Sequence, residues 1–494
     1  MKKIRKYVLL AVNTLWLSIF ASQCFAQSQT ATADQQKANN SKYIGIINQL
    51  YYFIQQNYVE EVDPQILYEG ALRGMLSALD DPYSVYMDKS EWRNISDTTQ
   101  GSFGGVGLSI TKPSTTTKDK PAYVEVVQPI DDTPGARAGI QPGDLIIKID
   151  GVDTATITMD EVLGMLRGTI GESVTVTIRR KTVEFDRVLV RALIENPTVK
   201  FGMVETVGYI RLSEFSTNTA GHVQEAIDSF KKAKKCTGII IDLRNNGGGL
   251  LSSAVEIADK FIDSGIIVQT KSRIDYENAV YHANPSTTVV KDIPVVVLVN
   301  RASASASEIL TGALKDTRKA YVVGEKTYGK GSVQIPSGLV NKDGFKITVA
   351  RYYSPLDVNI DKRGIRPDLE VLYPEFNEEQ KKEWENLEKA NVISPYVEAH
   401  SDMSEADISA YAKQLKKTYK LEESFLRKII RNEVDRTRPA RLYDLDYDIQ
   451  LKAAIDVIRK GNVEKLLKTT KTLKDQFDED EAAKKDESSS AETK

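Results

Sequence analysis

The stretch Asn300-Arg301-Ala302-Ser303-Ala304-Ser305-Ala306-Ser307-Glu308-Ile309 spaces three hydroxyls with alanines. Small neighbours let a substrate backbone approach. A serine at the start of a helix also sits in the positive field of unpaired N–H groups, which favours its alkoxide and any adjacent oxyanion. A plainer use competes: Ser305 and Glu308 have the spacing of a capping box, in which each side chain satisfies a free N–H of the first turn. A nucleophilic serine needs a proton acceptor, and a Ser-His pair would have to recruit one of only three histidines, His222, His282 and His400. Downstream lies Gly324-Glu325-Lys326-Thr327-Tyr328-Gly329-Lys330-Gly331-Ser332-Val333-Gln334, where two lysines compete for the role. Glycines on both sides of Lys330 would let it approach another backbone, and Gln334 shares a face with it in strand and helix alike. A free lysine, with a pKa of about 10.4, is protonated at neutral pH. To act as a base near ~7 to 8 it must be desolvated, at a cost to its charge of roughly 3 to 5 kcal/mol.

These residues need elements to hold them. From about Arg191 to Pro374 apolar strands alternate with helices, as in an α/β core. Gly238-Ile239-Ile240-Ile241-Asp242-Leu243 has the pattern of a buried strand, followed by a turn from Asn245 to Gly249 and a helix from Leu250 to about Ser264. Pro294 to Val299 repeats the strand, and a helix carries Ser305 to about Lys315. Both strand-to-helix junctions fall where ligands of α/β sheets sit. Beyond Glu375 the chain is highly charged with helical periodicity, including Ser424 to Val434 and Ile449 to Leu473, and a disordered acidic tail is expected from Asp478.

Upstream, Ile44, Ile47, Leu50, Ile54 and Tyr58 recur at helical spacing. Asp63 and Pro64 then read as the N-cap and first residue of a second helix, which the turn Asp80-Asp81-Pro82 ends, and the two helices are expected to form a small bundle. Before them, Lys2, Lys3, Arg5 and Lys6 precede an apolar run from about Tyr7 to Phe20, with small residues Cys24 and Ala26 behind it: a secretory signal, cleaved after Ala26. The chain is therefore expected to be periplasmic or otherwise extracytoplasmic, membrane-anchored if the signal stays uncleaved. At 494 residues it has room for roughly three domains, and its 41% hydrophobic residues and net charge of -3 lack the basic excess that marks a nucleic-acid binder. Cys24 and Cys236 alone build neither a disulfide framework nor a zinc site, so no metal and no cofactor are expected.

Two resemblances sharpen this reading. Thr133-Pro134-Gly135-Ala136-Arg137-Ala138-Gly139-Ile140, Gly143-Asp144-Leu145-Ile146 and Ile149-Asp150-Gly151 resemble a PDZ domain, over about Gly101 to Asp186. Gly105-Val106-Gly107-Leu108 would then be the loop whose N–H groups receive a terminal carboxylate, beside a strand edge that takes the peptide as an added strand. The chain as a whole resembles the carboxyl-terminal processing peptidases, also called tail-specific proteases. The similarity runs from about Tyr58 to Pro374 and rests on Gly70 to Tyr86, the PDZ segment, Asp242 to Leu251, Ser303 to Ile309 and Gly329 to Gln334, in the family's order.

That resemblance implies Ser305 as nucleophile, Lys330 as general base and Gln334 as the residue orienting it. It implies an oxyanion hole from the N–H of Ala306 and of a glycine after Asn246, taken as Gly248, although the family often has proline where this chain has Gly247. The implied fold is α+β and multidomain, a crotonase-like α/β peptidase core with an inserted PDZ domain. Residues 1–26 are the signal, 27–100 a linker and N-terminal helical segment, 101–186 the PDZ domain, 187–375 the core, 376–477 a C-terminal helical region and 478–494 the tail. Its partners would be proteins with accessible C-termini, and its C-terminal helices would join subunits or dock an adaptor. Two rivals share parts of this pattern. An idle tail-binding protein would have no need of Ser305, Lys330 and Gln334 together, and a crotonase-like acyl-CoA enzyme would have no use for a PDZ domain.

Overall fold

The computed structural model describes residues 39–113, 116, 121–195, 197–400, 402–436 and 441–491. The expected signal, residues 1–26, lies outside them. The chain divides into two units, residues 1–86 and 87–494.

In the first unit a helix covers residues 39–57 and a second spans Pro64–Ser77. The second starts as its sequence requires, with Pro64 in its first turn and the Asp63 carboxylate accepting the Gln65 N–H at 2.9 Å. The expected bundle does not close, because two helices alone cannot enclose both of their apolar stripes. Ile44, Ile47 and Leu50 remain 45–63% exposed, and the second helix buries no residue.

The second unit opens, after the helix Lys89–Gln100, with the PDZ domain. Strands Leu108–Thr111, Val124–Pro129, Leu145–Ile149, Ser173–Arg180 and Val183–Val190 pair antiparallel in that order. Alternation sets its core: Val174, Val176 and Ile178 point inward from one strand and meet Val124, Val126 and Ile146 from others. The helix Met159–Leu166, begun by a Thr158/Glu161 capping box, adds Val162 and Leu166. Leu108–Thr111 is one edge of this sheet, as a strand that accepts a peptide must be.

The peptidase core is a six-stranded sheet in the order Val199–Val204, Val207–Leu212, Gly238–Asp242, Val295–Val299, Ala320–Gly324, Leu369–Glu370. Its first pair is antiparallel and the others are parallel. Ile239, Ile241, Val295, Val297 and Val299 face the helices Thr219–Lys232, Leu251–Asp259 and Ala306–Asp316. Ile240, Val296 and Leu298, one residue out of phase, face Leu451, Ala454, Ile455 and Ile458 of the helix Ile449–Arg459. Strands buried on both faces explain why these runs are apolar without alternation.

Three boundaries differ from expectation. Residues 449–477 belong to the peptidase core: Leu451 to Leu467 cover one face of its sheet, and Leu473 and Phe477 join the core on the other. Only the helices between Glu378 and Asp435 pack around a separate core of their own, with Leu387, Leu415, Leu426 and Ile430. The expected single helix from Ile449 to Leu473 breaks at Gly461, at φ 65°, into Ile449–Arg459 and Val463–Thr469. The acidic stretch from Asp478, expected to be disordered, continues a helix, Leu473–Ala491, whose Glu479, Asp480 and Glu481 are paired with Arg366 and Arg363.

Candidate active site

The two strand-to-helix junctions lie against each other. After Gly238–Asp242 the chain turns through Asn245, at φ 59°, to Gly248, at φ 107°. A Cβ on Gly248 would stand 2.8 Å from both the Ala304 oxygen and the Ser305 Cβ, so only glycine lets this turn rest on the serine junction. Asn246 is buried and ties three segments: its side chain donates to the Leu212 carbonyl at 2.9 Å, and its own carbonyl accepts the Ala304 N–H at 3.0 Å and the Ser307 hydroxyl at 2.9 Å.

The three serines are thereby distinguished. Ser303 and Ser307 are fully buried and donate to backbone carbonyls of the neighbouring junction, Ser303 to Leu243 at 2.8 Å and Ser307 to Asn246. Ser305 is half-buried and sits immediately before the helix Ala306–Asp316 with φ 55° and ψ -116°. A non-glycine residue there carries strain of order 1 to 3 kcal/mol, which the surrounding bonds must offset. The Ala306 N–H, at the tip of the helix, meets no acceptor among the described residues. The Gly248 N–H, the other expected oxyanion donor, is taken by the Asn246 side-chain oxygen at 2.8 Å.

Glu308 holds the serine and lysine segments together. Its carboxylate is 1% exposed; one oxygen accepts the N–H groups of both Ser305 and Lys330, each at 2.9 Å, and the other accepts the Gly329 N–H at 2.7 Å and the Thr327 hydroxyl at 2.5 Å. Burial pushes this carboxyl up to about 7, against the pull of those donors. The Tyr352 hydroxyl adds a second tie, donating to the carbonyls of Ser305 and Lys330. Lys330 is half-buried while Lys326 is exposed, which separates the two lysines that spacing left open. Gln334 lies in the hairpin strand Ser332–Gly338, its amide nitrogen donating to the hydroxyls of Ser332 at 2.9 Å and Thr348 at 3.1 Å. None of the three histidines bonds to Ser305; His282 and His400 are exposed, and His222 lies on Thr219–Lys232.

Beneath the glycine turn lies a charged cluster that the sequence did not announce. Arg244 is 8% exposed and forks between Asp242, fully buried at the end of its strand, and Asp448, the N-cap of Ile449–Arg459. Tyr209 donates to Asp242 at 2.6 Å and Tyr373 to Asp448 at 3.2 Å. Burial pushes the Asp448 carboxyl up, but the Arg244 guanidinium more than offsets this and leaves it below the usual range. A lone aspartate ending the run Ile239-Ile240-Ile241 was the available signal, since a charge there must be paired.

In the PDZ domain Gly105 ends the strand Ser102–Gly105, Val106 is buried, and Leu108 opens the edge strand. The Val106 carbonyl accepts the Gly135 N–H at 2.8 Å, and the Gly107 carbonyl accepts the Ile130 N–H at 2.9 Å and the Thr133 hydroxyl at 3.1 Å. Gly107, at φ 72°, has no room for a Cβ, which would lie 2.2 Å from Thr133.

Family models agree with this division of the chain into a PDZ domain and a peptidase core. The model of peptidase family S41 matches residues 206–371, that of the PDZ domain 125–180, and that of the activating protease CtpB N-terminal domain 10–91. A carboxy-terminal-processing protease of Bartonella bacilliformis is 37% identical over 354 residues, 71% of this chain and 79% of that one. The carboxy-terminal processing protease CtpA of Bacillus subtilis is 34% identical over 335 residues, 67% of this chain and 69% of its own. Among solved structures, a photosystem II D1 C-terminal processing protease is 30% identical, covering 66% of this chain and 92% of its own, at a TM-score of 0.39. The chain belongs to the carboxy-terminal processing proteases of peptidase family S41, serine-type peptidases, and carries a PDZ domain.

Proposed function

We propose that this chain is an exported serine endopeptidase that captures the C-terminal tail of a protein substrate through its PDZ groove and cleaves it with a Ser305–Lys330 dyad. The observation that carries the reading is the single Glu308 oxygen that accepts the N–H of both residues. A support that fixes two backbones at once suits a nucleophile and its base, since acyl transfer requires both at hydrogen-bond reach. The engagement of Ser303 and Ser307 in structural bonds leaves Ser305 as the serine of the run suited to attack.

In the proposed cycle the Lys330 amine takes the Ser305 proton as Oγ attacks the scissile carbonyl. The oxyanion is received by the Ala306 N–H and, once the Asn246 side chain turns aside, by that of Gly248. Lys330 then protonates the leaving amine, giving an acyl-enzyme, and activates the water that hydrolyses it. Gln334 orients the lysine. A tail adds to the edge strand Leu108–Thr111 with its carboxylate at Gly105–Gly107. Export rests on the basic and apolar residues of the first 26 positions.

The test uses mature protein and its Ser305→Ala and Lys330→Ala variants on an unfolded substrate with a free or an amidated C-terminus. Both variants should be inactive and amidation should slow the wild type. Cleavage by either variant at the wild-type rate would refute the dyad, and indifference to amidation would refute tail capture.

A further inference from the structure

The lysine loop, residues 325–331, is held from two sides. Glu308 grips it from the serine helix. From the opposite side it is gripped by the segment 359–366. Thr327 exchanges bonds with Ile365, N–H to carbonyl at 3.0 Å and N–H to hydroxyl at 2.7 Å in return. The Lys362 N–H reaches the Gly329 carbonyl at 2.8 Å, and the Gly331 N–H reaches the Asp361 carboxylate at 3.1 Å. The fit leaves no slack, because a Cβ on Gly329 would stand 2.8 Å from the Gly364 nitrogen and one on Gly331 2.6 Å from that of Asp361.

What fixes this second wall is the helix Leu473–Ala491, about 110 residues further along the chain and beyond the residue at which the peptidase family model ends. The Arg366 guanidinium donates to the Gln476 carbonyl at 2.8 Å, and the Gln476 amide returns a bond to the Arg366 carbonyl at 3.2 Å. The Arg363 guanidinium lies 3.9 Å over the Phe477 ring and pairs with Glu481 at 3.3 Å. Leu473 and Phe477 sit in the same apolar core as Ile365 and the serine helix. The Leu473 N–H is received by Asp316, at the far end of that helix, at 2.8 Å.

We infer that the opening turns of this helix, residues 473–481, position the general base: through Arg363 and Arg366 they press the segment 359–366 onto the lysine loop, and so aim Lys330 at Ser305. The inference rests on the reading of Lys330 as the base. Holding the wall costs nothing at the moment of reaction because the helix is already folded, whereas a displacement of about 1 Å in the loop is enough for a loss of roughly 10²-fold.

Arg366→Ala removes a partly exposed side chain and leaves the core intact, and Phe477→Ala removes the stacked ring as well. In each, kcat on a tail-bearing protein should fall by about 10- to 100-fold with KM within about twofold, and a fluorophosphonate should label Ser305 more slowly by a like factor. Arg366→Lys, which keeps a donor for the Gln476 carbonyl, should recover most of the loss. A kcat unchanged in Arg366→Ala, or a loss no greater than the unfolded fraction measured by near-ultraviolet circular dichroism, would overturn the inference. Full activity of Lys330→Ala would instead bring down the underlying reading, so the two failures are told apart.

Discussion

The PDZ domain and the peptidase core each carry a glycine-bearing turn to which the proposed function assigns a ligand, and they hold it in different ways. The PDZ turn at Gly105–Gly107 is fixed by Ile130, Thr133 and Gly135, all within about thirty residues of it, with one distant tie, the pairing of Gly105 with Ala192. The core turn at Asn245–Gly249 and the serine beside it depend on Leu212, Asn300, Glu308 and, through Arg244, on Asp448. A binding groove tolerates a largely local scaffold. A site that must bring an amine, a hydroxyl and backbone donors to one point draws on distant segments and is sensitive to each of them.

The contrast is broken most severely at Glu308. Glu308→Ala should lower peptidase activity by about 10³-fold, roughly 4 kcal/mol in barrier, while a PDZ-directed tail peptide binds as before. Equal loss of both, in binding and kinetic assays, would mean the two regions are not separately built. The same residue gives a pH signature. With its folded-state value raised to about 7 by burial, Glu308 favours the folded protein fully only below the ordinary carboxylate value of 4.5, and that contribution is lost as pH rises to about 7. Denaturation at pH 5 and pH 8 should therefore show a smaller pH dependence in Glu308→Gln than in the wild type.

Next in size is Arg244→Ala. It strands one fully buried carboxylate, Asp242, and a half-buried one, Asp448, and should cost about 3 to 5 kcal/mol of stability in the peptidase unfolding transition, read from denaturant midpoints. Gly107→Ala should act on the other side of the contrast. A strained φ and a collision with Thr133 cost about 1 to 3 kcal/mol, so affinity for a tail peptide should drop tenfold or so while fluorophosphonate labelling of Ser305 keeps its rate. The smallest effect belongs to Arg436, whose pair with Glu125 of the PDZ domain is 3.5 Å long and about 40% exposed at both ends. Arg436→Ala should shift the thermal midpoint by the equivalent of less than about 1 kcal/mol; a larger shift would show the PDZ domain to be coupled to the helices between Glu378 and Asp435 through it.

The same contrast explains what the sequence made legible. The Asp63 cap and the glycine motifs of the PDZ segment are local signals, and each led to the right element. The family motifs placed Ser305 and Lys330, but spacing alone made Glu308 a helix cap: its other partners, Thr327, Gly329 and Lys330, lie about twenty residues away, and nothing in a one-dimensional pattern announces that a carboxylate will be buried among them. The charged helices after Glu375 read as an appendage for a related reason. Lys474, Asp475 and Asp478 dominate the composition of the last one, while only Leu473 and Phe477 touch the core. Arg244 drew no reading of its own because its second partner, Asp448, is 204 residues on.

That late contribution has a consequence for biosynthesis. The PDZ sheet is complete once the chain has been made to Val190, whereas the core beneath the serine helix waits for Leu473 and Phe477. A chain folding from its N-terminus thus completes the PDZ sheet well before the core that supports the serine helix.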